Sequence, residues 1–341
     1  MLTFPFETAP AEGEVITVRP GILWARLSLP FRLDHVNIYF LEDSDGWMIV
    51  DAGIDTRTSR AQWRALLDGP LKGVRFTGLL VTHHHPDHIG LAGWLCDMLE
   101  VPLLTSRTSF LSAMNFYNSP EILAATEFSR FYASHGMSPE IAALVSTMGQ
   151  EYMHMLSKPP FTYRRIADGE VLRVGGRDFH VLTGEGHCPE QVMLYLPDEQ
   201  LFLAADQVIE KISPNVSVMA FEPSGDPLGA FLGSLDRIRA DVAEDVLTLS
   251  GHRLPFTGLH ARCADLATHH AERCQIIRRA LENGPLSAAQ LVPIMFDREM
   301  TPHEMSFAFS ETLAHTNYLV SDGECVWEDR ADGTRVIRKA T

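Results

Sequence analysis

Residues 76–90 of this chain are FTGLLVTHHHPDHIG. Phe76 to Thr82 is an apolar run of strand length, and Ile89 to Leu99 has the spacing of a helix packed on a sheet. A strand, a polar loop and a helix in that order place the loop at the carboxyl edge of a sheet, where α/β proteins commonly carry their chemistry. The stretch therefore predicts functional side chains between positions 83 and 88.

The polar loop holds four side chains of metal-ligand type in the pattern H-x-H-x-D-H. Alternate positions on an extended segment point the same way, so His83 and His85 face one point while Asp87 and His88 turn toward a second. We expect His84, between two of them, to point away. Neutral imidazole nitrogens and carboxylate oxygens suit Zn²⁺ and related divalent ions. A solvated, histidine-rich loop is the competing interpretation.

Three further residues of ligand type follow strand-like runs elsewhere in the chain. His187 comes after the strand that ends near Gly184, Asp206 comes after the apolar run 201–205, and His252 comes after the run 247–250. Ligand-type residues at several strand ends favour one shared metal site over a chance cluster of histidines.

With these residues the chain resembles the metallo-β-lactamase-fold hydrolase superfamily over most of residues 15 to 255. The resemblance implies an α/β fold, a four-layer αββα sandwich with two metals at one edge of its sheets. It also implies that Asp51 lies beside the metals and orients a ligand. The implied metal ligands are His83, His85 and His187 for the first ion, Asp87, His88 and His252 for the second, and Asp206 as a bridge between them.

The implied chemistry is hydrolysis without a protein nucleophile. Two dications about 3.5 to 4 Å apart lower the pKa of a bridging water, so that hydroxide can attack a carbonyl or phosphoryl group. Asp87 is the expected catalytic residue, orienting the hydroxide and taking its proton. Members specialised as β-lactamases commonly have cysteine at the position of Asp206, so this chain resembles the thioesterase, lactonase and phosphodiesterase branches instead.

We therefore expect an enzyme like the hydroxyacylglutathione hydrolases. The expected substrate is a small acyl compound, a thioester of the acyl-glutathione or acyl-CoA type, with a lactone as the near alternative. The expected cofactors are two divalent ions, with zinc first and iron or manganese left open because His and Asp sets accept all three. A ribonuclease-like nucleic-acid phosphodiesterase and a non-catalytic regulator that keeps the fold are the alternatives.

Two segments differ from the rest of the sandwich. Residues 107–160 lack strand-like alternation and are rich in methionine and aromatic residues, which predicts a helical insertion within a catalytic domain of residues 1–265. Residues 266–341 predict three helices and a β-hairpin, the arrangement of a small winged-helix-like domain. Because the third of these helices, His303 to Leu319, has no Lys or Arg, we interpret this domain as a packing or dimerisation module, which leaves a homodimer open.

Composition narrows the partners and the compartment. With 28 Lys and Arg against 44 Asp and Glu, the 341-residue chain has a formal charge of −16, which disfavours nucleic acids and anionic lipid surfaces. The five cysteines form no C-x-x-C pair, which favours a reducing cytoplasm. No leader-like segment and no long apolar run is present in this sequence, so we expect neither export nor a membrane span.

Overall fold

The computed structural model describes residues 1–119, 121–122 and 126–340, with side chains for all of them except 148–153 and 302–303. These residues form two compact units. The first contains Met1–Asn118, Met153–Pro214 and Arg237–Cys263, and the second contains Ser119–Tyr152, Asn215–Asp236 and Ala264–Thr341. The domain boundary expected between residues 265 and 266 stays a prediction.

The first unit contains two sheets. One has seven strands in the spatial order of the sequence: β1 (Ile16–Arg19), β2 (Ile22–Ser28), β3 (His35–Asp43), β4 (Gly46–Val50), β5 (Phe76–Leu80), β6 (Leu103–Thr105) and β7 (Arg164–Arg165). The other has five strands in the order β12-β11-β10-β9-β8: β8 (Val171–Val174), β9 (Arg177–Gly184), β10 (Gln191–Leu196), β11 (Leu201–Ala205) and β12 (Leu247–Ser250).

The core of this unit lies between the sheets, because alternate residues of each strand point inward. Tyr39 and Leu41 of β3 join a buried cluster with Phe179 of β9 and Leu203 of β11. Phe40 points to the opposite face of β3, where the ring of Trp63 meets it edge-on at 6.0 Å. Sheets packed face to face and flanked by helices confirm the predicted αββα sandwich.

Strand direction brings several chain segments to one edge of each sheet. β4 runs parallel to β5, and β11 runs parallel to β12, so the carboxyl ends of each pair lie side by side. The residues that follow these strands are Asp51 after β4, the histidine loop after β5, Asp206 after β11 and His252 after β12.

Among the described residues, four helices lie wholly within the first unit: α1 (Arg57–Asp68), α2 (Pro86–Ile89), α3 (Ala92–Leu99) and α4 (Arg107–Asn118). The helix expected from Ile89 begins only at Ala92. The reason is that the N–H of Leu91 donates to the carbonyl of Gly53 at 2.9 Å instead of continuing α2. This close approach needs a glycine at position 90, since a Cβ there would lie 2.8 Å from the Gly53 oxygen.

The remaining helices are α5 (Thr126–Ser134), α6 (Pro139–Met153), α7 (Pro227–Asp241), α8 (Leu259–Ala280), α9 (Ala288–Met295) and α10 (Pro302–Ser321). The helical character expected for residues 107–160 is present in α4 to α6, although Pro120 and residues 123–125 lie outside the described residues. No helix in the described part of the chain is long and apolar enough to cross a bilayer.

The second unit contains the C-terminal helices and a two-stranded antiparallel sheet of β13 (Cys325–Asp329) and β14 (Arg335–Lys339). Ser287 caps α9 as its sequence predicts, because its side chain accepts from the N–H of Gln290 while the Gln290 side chain accepts from the N–H of Ser287. Helix α8 begins at Leu259, earlier than the expected Thr268. The winged-helix assignment stays a prediction.

Candidate metal centre

Three imidazole rings form the first half of the candidate centre. Nε2 of His83 lies 3.0 Å from Nδ1 of His85 and 3.4 Å from Nε2 of His187. His83 is fully buried, and His85 directly precedes α2, whose first residue, Pro86, fixes the chain at the helix start. The three residues are one group whose ligand atoms could hold a metal ion.

A second group combines a carboxylate with two imidazoles. Oδ2 of Asp87 lies 3.4 Å from Nε2 of His252 and 3.7 Å from Nε2 of His88. Asp87 and His88 lie on α2, whereas His252 follows β12. The fold therefore brings together residues that are more than 160 positions apart in the sequence. The two groups correspond to the two sets of ligands that the sequence predicts.

Asp206 reaches both groups from the end of β11. Its Oδ2 lies 3.1 Å from His252 Nε2 and 3.7 Å from His187 Nε2, while its Oδ1 lies 3.5 Å from His88 Nε2. Oδ1 of Asp206 and Nε2 of His88 are buried and have no hydrogen-bond partner among the described residues. A carboxylate oxygen and an imidazole nitrogen are both metal-ligand atoms, so their burial without a hydrogen-bond partner fits a cation bound between them.

The spacing of these atoms fits metal coordination. Two ligand atoms on one tetrahedral zinc, each about 2.1 Å from the ion, are about 3.4 Å apart, and the separations above run from 3.0 to 3.7 Å. Gly251 contributes by lacking a side chain, since a Cβ there would lie 2.2 Å from Asp206 Oδ1 and 2.7 Å from His88 Cε1. The His and Asp clusters therefore fit a dinuclear divalent metal site, and the seven predicted ligands all lie in these clusters. Their role as ligands stays a prediction.

Asp51 supports one ligand from each set. Its Oδ2 accepts a hydrogen bond from His88 Nδ1 at 2.8 Å, and its Oδ1 accepts from the backbone N–H of Thr82 at 2.8 Å. The Thr82 hydroxyl donates to Asp51 Oδ2 at 3.0 Å and lies 3.0 Å from His83 Nδ1. Because this hydroxyl already donates to Asp51, it accepts from His83, so His83 and His88 both carry a proton on Nδ1 and keep Nε2 as the nitrogen available to a metal.

A backbone carbonyl fixes a third ligand in the same way. His252 Nδ1 lies 2.7 Å from the carbonyl oxygen of His35, and a carbonyl can only accept. His252 therefore carries a proton on Nδ1, and Nε2, which faces Asp206, is the nitrogen available to a metal. The ring of His35 also accepts a hydrogen bond from the N–H of Arg253 at 2.9 Å, so His35 contacts both the ring of His252 and the residue that follows it.

The charge state differs between the two sets. Burial lowers the pKa of His83 and of His85, and their histidine neighbours lower it further, so these rings are neutral. Burial alone would lower the pKa of His252, but Asp206 and Asp87 raise it to about 9. Burial would raise the pKa of Asp206, yet His252 and His88 hold it well below the ordinary value. Protons on the second set thus balance its carboxylates, and a bound dication would replace them.

His84 makes contacts of its own beside the centre. Its Nδ1 lies 3.1 Å from Sγ of Cys188, and its ring packs near that of Phe116 at 5.9 Å. Burial lowers the pKa of His84 to about 4 and raises the pKa of the Cys188 thiol, so a neutral ring faces a neutral thiol. His84, His85 and Cys188 also lie close enough to be counted as a possible ligand group. The expectation that His84 stays outside the metal set remains a prediction.

Sequence analysis missed two supporting residues, Thr82 and His35. Thr82 carries a usable signal, because a threonine at the last position of a strand-like run directly precedes the histidine loop. His35 carries none, since its backbone carbonyl is the group that contacts His252.

Seven imidazole and carboxylate side chains of ligand type, grouped at the strand ends of an αββα sandwich, are the arrangement of a metal-dependent hydrolase. The comparison with protein families agrees, since the model of the Metallo-beta-lactamase superfamily matches residues 31–252. The chain belongs to that superfamily. A second model, the metallo-beta-lactamase-like C-terminal domain, matches residues 274–340.

Similar proteins cover almost the whole chain. A Beta-lactamase domain protein from Burkholderia ambifaria has 37% sequence identity and a TM-score of 0.91, with 99% of this chain and 98% of that chain covered. A metallo-beta-lactamase family protein from Thermus thermophilus has 29% identity and a TM-score of 0.80, with 95% and 100% covered. The "Probable metallo-hydrolase YqjP" of Bacillus subtilis (strain 168) is 24% identical over 314 residues, which are 88% of this chain and 92% of that protein.

Another relative is a larger protein. The Linear primary-alkylsulfatase of Pseudomonas sp. (strain ATCC 19151) is 25% identical over 232 residues, which are 64% of this chain and 41% of that protein.

Proposed function

We propose that this metallo-hydrolase cleaves a thioester of the acyl-glutathione or acyl-CoA type or a lactone, with two Zn²⁺ ions as cofactors. The observation that carries the proposal is Asp206, a carboxylate that touches both ligand sets. The resemblance noted above associates a carboxylate at this position with the thioesterase and lactonase branches. When bound, the two ions supply a water of lowered pKa and polarise the carbonyl under attack.

The chain's own residues orient the reaction. Asp87 is half-buried, and its Oδ2 lies within 3.7 Å of both His88 and His252, so we assign it the roles of orienting the attacking water and accepting its proton. The hydrogen bonds from His88 to Asp51 and from His252 to the His35 carbonyl keep these rings in one orientation. Such fixed donors and ligands reduce the reorganisation needed during reaction.

The described residues beside the centre favour water over a side-chain nucleophile. The Cys188 thiol is 1% exposed and burial raises its pKa, so it is neither accessible nor ionised near neutral pH. The Thr82 hydroxyl is buried and donates to Asp51. This supports hydrolysis by an activated water.

A second candidate substrate is an alkyl sulfate ester. It is favoured by the match to the Linear primary-alkylsulfatase, although this chain spans less than half of that protein. A nucleic-acid phosphodiesterase stays a weaker proposal, because the formal charge of −16 opposes phosphate binding.

The test is metal analysis of the purified chain together with a chromogenic panel of thioesters, lactones, β-lactams, alkyl sulfates and phosphodiesters. We expect zinc in the protein and turnover of a thioester or lactone that falls at least about 100-fold in Asp87→Asn. Asp97→Asn is the matched control, since Asp97 lies exposed on α3. Turnover of alkyl sulfates or phosphodiesters alone would replace the proposed substrate. Bound metal without turnover of any panel member would favour the non-catalytic regulator.

We further propose a cytoplasmic location and a small-molecule partner. All five cysteines are buried, and among the described residues none of them forms a disulfide, which fits a reducing compartment. A homodimer through the C-terminal segment is part of the same proposal, and the molar mass in solution measures it.

A further inference from the structure

The second compact unit contains a cluster of ligand-type side chains that the proposed hydrolysis does not use. His269 and His270 lie on α8, and Glu311 lies on α10. One ligand atom from each of the three residues lies within 4.8 Å of the other two. His270 is 1% exposed, and the other two residues are half-buried. The cluster therefore lies where water only partly solvates it.

The hydrogen bonds of a neighbouring histidine fix the ring of His270. Nδ1 of His315 lies 2.8 Å from the carbonyl oxygen of Glu311, which can only accept, so His315 carries its proton on Nδ1. Its Nε2 then accepts from Nδ1 of His270 at 3.0 Å. Burial lowers the pKa of His270 to about 3 and that of His315 to about 4, so both rings are neutral.

This arrangement leaves the lone pair of His270 on Nε2, the form in which an imidazole binds a metal. A ligating histidine typically donates its other N–H to a neighbouring acceptor, and His315 supplies that acceptor here.

Glu311 adds a carboxylate whose charge is poorly balanced. Burial raises its pKa to about 7, which shows how unfavourable the lone charge is at this place. Among the residues that the structure describes, no Lys or Arg forms an ion pair with it. Arg273, whose charge lowers the pKa of Glu311, donates to the Met295 carbonyl and lies over the ring of Phe296 at 5.0 Å. A bound dication would supply the missing positive charge.

We propose that His269, His270 and Glu311 bind one divalent transition-metal ion, in addition to the ions of the candidate centre in the first unit. Two imidazoles and one carboxylate favour Zn²⁺, Co²⁺ or Ni²⁺ over Mg²⁺ and Ca²⁺, which prefer oxygen ligands. Ligand atoms on one tetrahedral ion are about 3.4 Å apart, so atoms that lie within 4.8 Å of one another need to approach by at most about 1.4 Å. The ion would connect α8 with α10.

The experiment counts bound ions in the full-length protein. The chelator-stripped chain is dialysed to equilibrium against Zn²⁺, and the bound zinc is measured by mass spectrometry for the wild type and for Glu311→Gln and His270→Ala. We expect each variant to bind one ion fewer than the wild type. Glu272→Gln is the matched control, because Glu272 is exposed on α8, the helix that also carries His269 and His270. This control variant should bind as many ions as the wild type.

The result is a difference between variants, so it does not depend on how many ions the first unit binds or on which substrate the enzyme cleaves. His269→Gln provides a variant at a half-buried position in case the other two lower the folded fraction, which circular dichroism in the presence of chelator would show. Equal zinc content in the wild type and in the folded variants of the cluster would overturn the proposal.

Discussion

Replacing Asp51 by asparagine tests the support of the metal ligands, because the change keeps the size of the side chain and replaces one acceptor by a donor. Oδ1 of Asp51 accepts from the N–H of Thr82, and Oδ2 accepts from Nδ1 of His88, both at 2.8 Å. An amide that still accepts from Thr82 turns its NH2 toward His88. The ring must then accept at Nδ1, and its proton moves to Nε2, the nitrogen that faces Asp206.

The expected loss is therefore at the second ligand set, which contains His88. Changes to groups that orient metal ligands typically reduce metal affinity about 10- to 100-fold, which corresponds to about 1.4 to 2.7 kcal/mol. The first set should be affected less, because the Thr82 hydroxyl has two lone pairs and can accept from the new amide as well as from His83.

The assay is a zinc titration of the chelator-stripped protein in competition with a chromogenic chelator, which resolves the affinities of the two ions. Asp55→Asn serves as the control, since the Asp55 carboxylate pairs with Arg60 at 2.6 and 2.8 Å. Wild-type affinity for the second ion in Asp51→Asn would refute the tautomer argument. An equal loss in Asp55→Asn would show that the effect is not specific to the ligand support.

Three further predictions concern the same centre. Thr82→Val removes the hydroxyl that accepts from His83, so the same titration should show the first ion bound about 10-fold more weakly, and Thr82→Ser should restore the affinity. Wild-type affinity in the valine variant would contradict the role of this hydrogen bond in orienting His83. Asp206→Ala should lose most of the second ion and nearly all turnover, because the charge shared by both sets is lost, and unchanged metal content would contradict the bridging role. The pKa of His252 is raised to about 9, and ligation needs the neutral ring, so the affinity for the second ion should rise with pH up to about 9. Binding should also release protons, and calorimetry in two buffers of different ionisation enthalpy measures their number. An affinity independent of pH would contradict this charge state.

The sequence predicts the ligand-type residues well because two simple regularities coincide. The carboxyl ends of parallel strands lie at one edge of a sheet. His and Asp residues that follow several such strands therefore indicate one shared site at that edge. His187 and His252 lie far from the histidine loop in the chain, yet both face it in the structure. Their role as metal ligands stays a prediction, but their convergence is a property of the fold.

The supporting contacts could not be predicted in this way. His252 is oriented by a backbone carbonyl 217 positions away, and any residue type at that position would offer the same carbonyl. Thr82 acts through its hydroxyl only because Asp51 accepts from it. Such hydrogen bonds depend on the register of strands from different parts of the chain, which residue types alone do not specify.

The same reasoning separates the predictable and unpredictable parts of the fold. Single strands such as Phe76–Leu80 and Leu201–Ala205 can be predicted from their apolar runs, which are local patterns, whereas their assembly into a sandwich is predicted from the family resemblance. The grouping of Ser119–Tyr152 with Ala264–Thr341 in one compact unit depends on contacts between distant segments. One of them is the 3.2 Å hydrogen bond from the N–H of Ala289, on α9, to the carbonyl of His135, and neither residue type marks that bond in advance.

The backbone at Asp51 shows how the fold maintains an unfavourable local conformation near the centre. Its φ of 66° lies in the left-handed region, which costs a residue with a Cβ about 1 to 2 kcal/mol. Aspartate tolerates this region better than most residues, and here its N–H donates to the Leu80 carbonyl at 2.8 Å while its carboxylate accepts from Thr82 and His88. The left-handed turn directs the carboxylate toward the histidine loop. Glycine at position 51 would relieve the backbone strain, but it would remove the carboxylate that accepts from His88. The function of Asp51 in orienting His88 therefore explains both the side chain and the strained backbone.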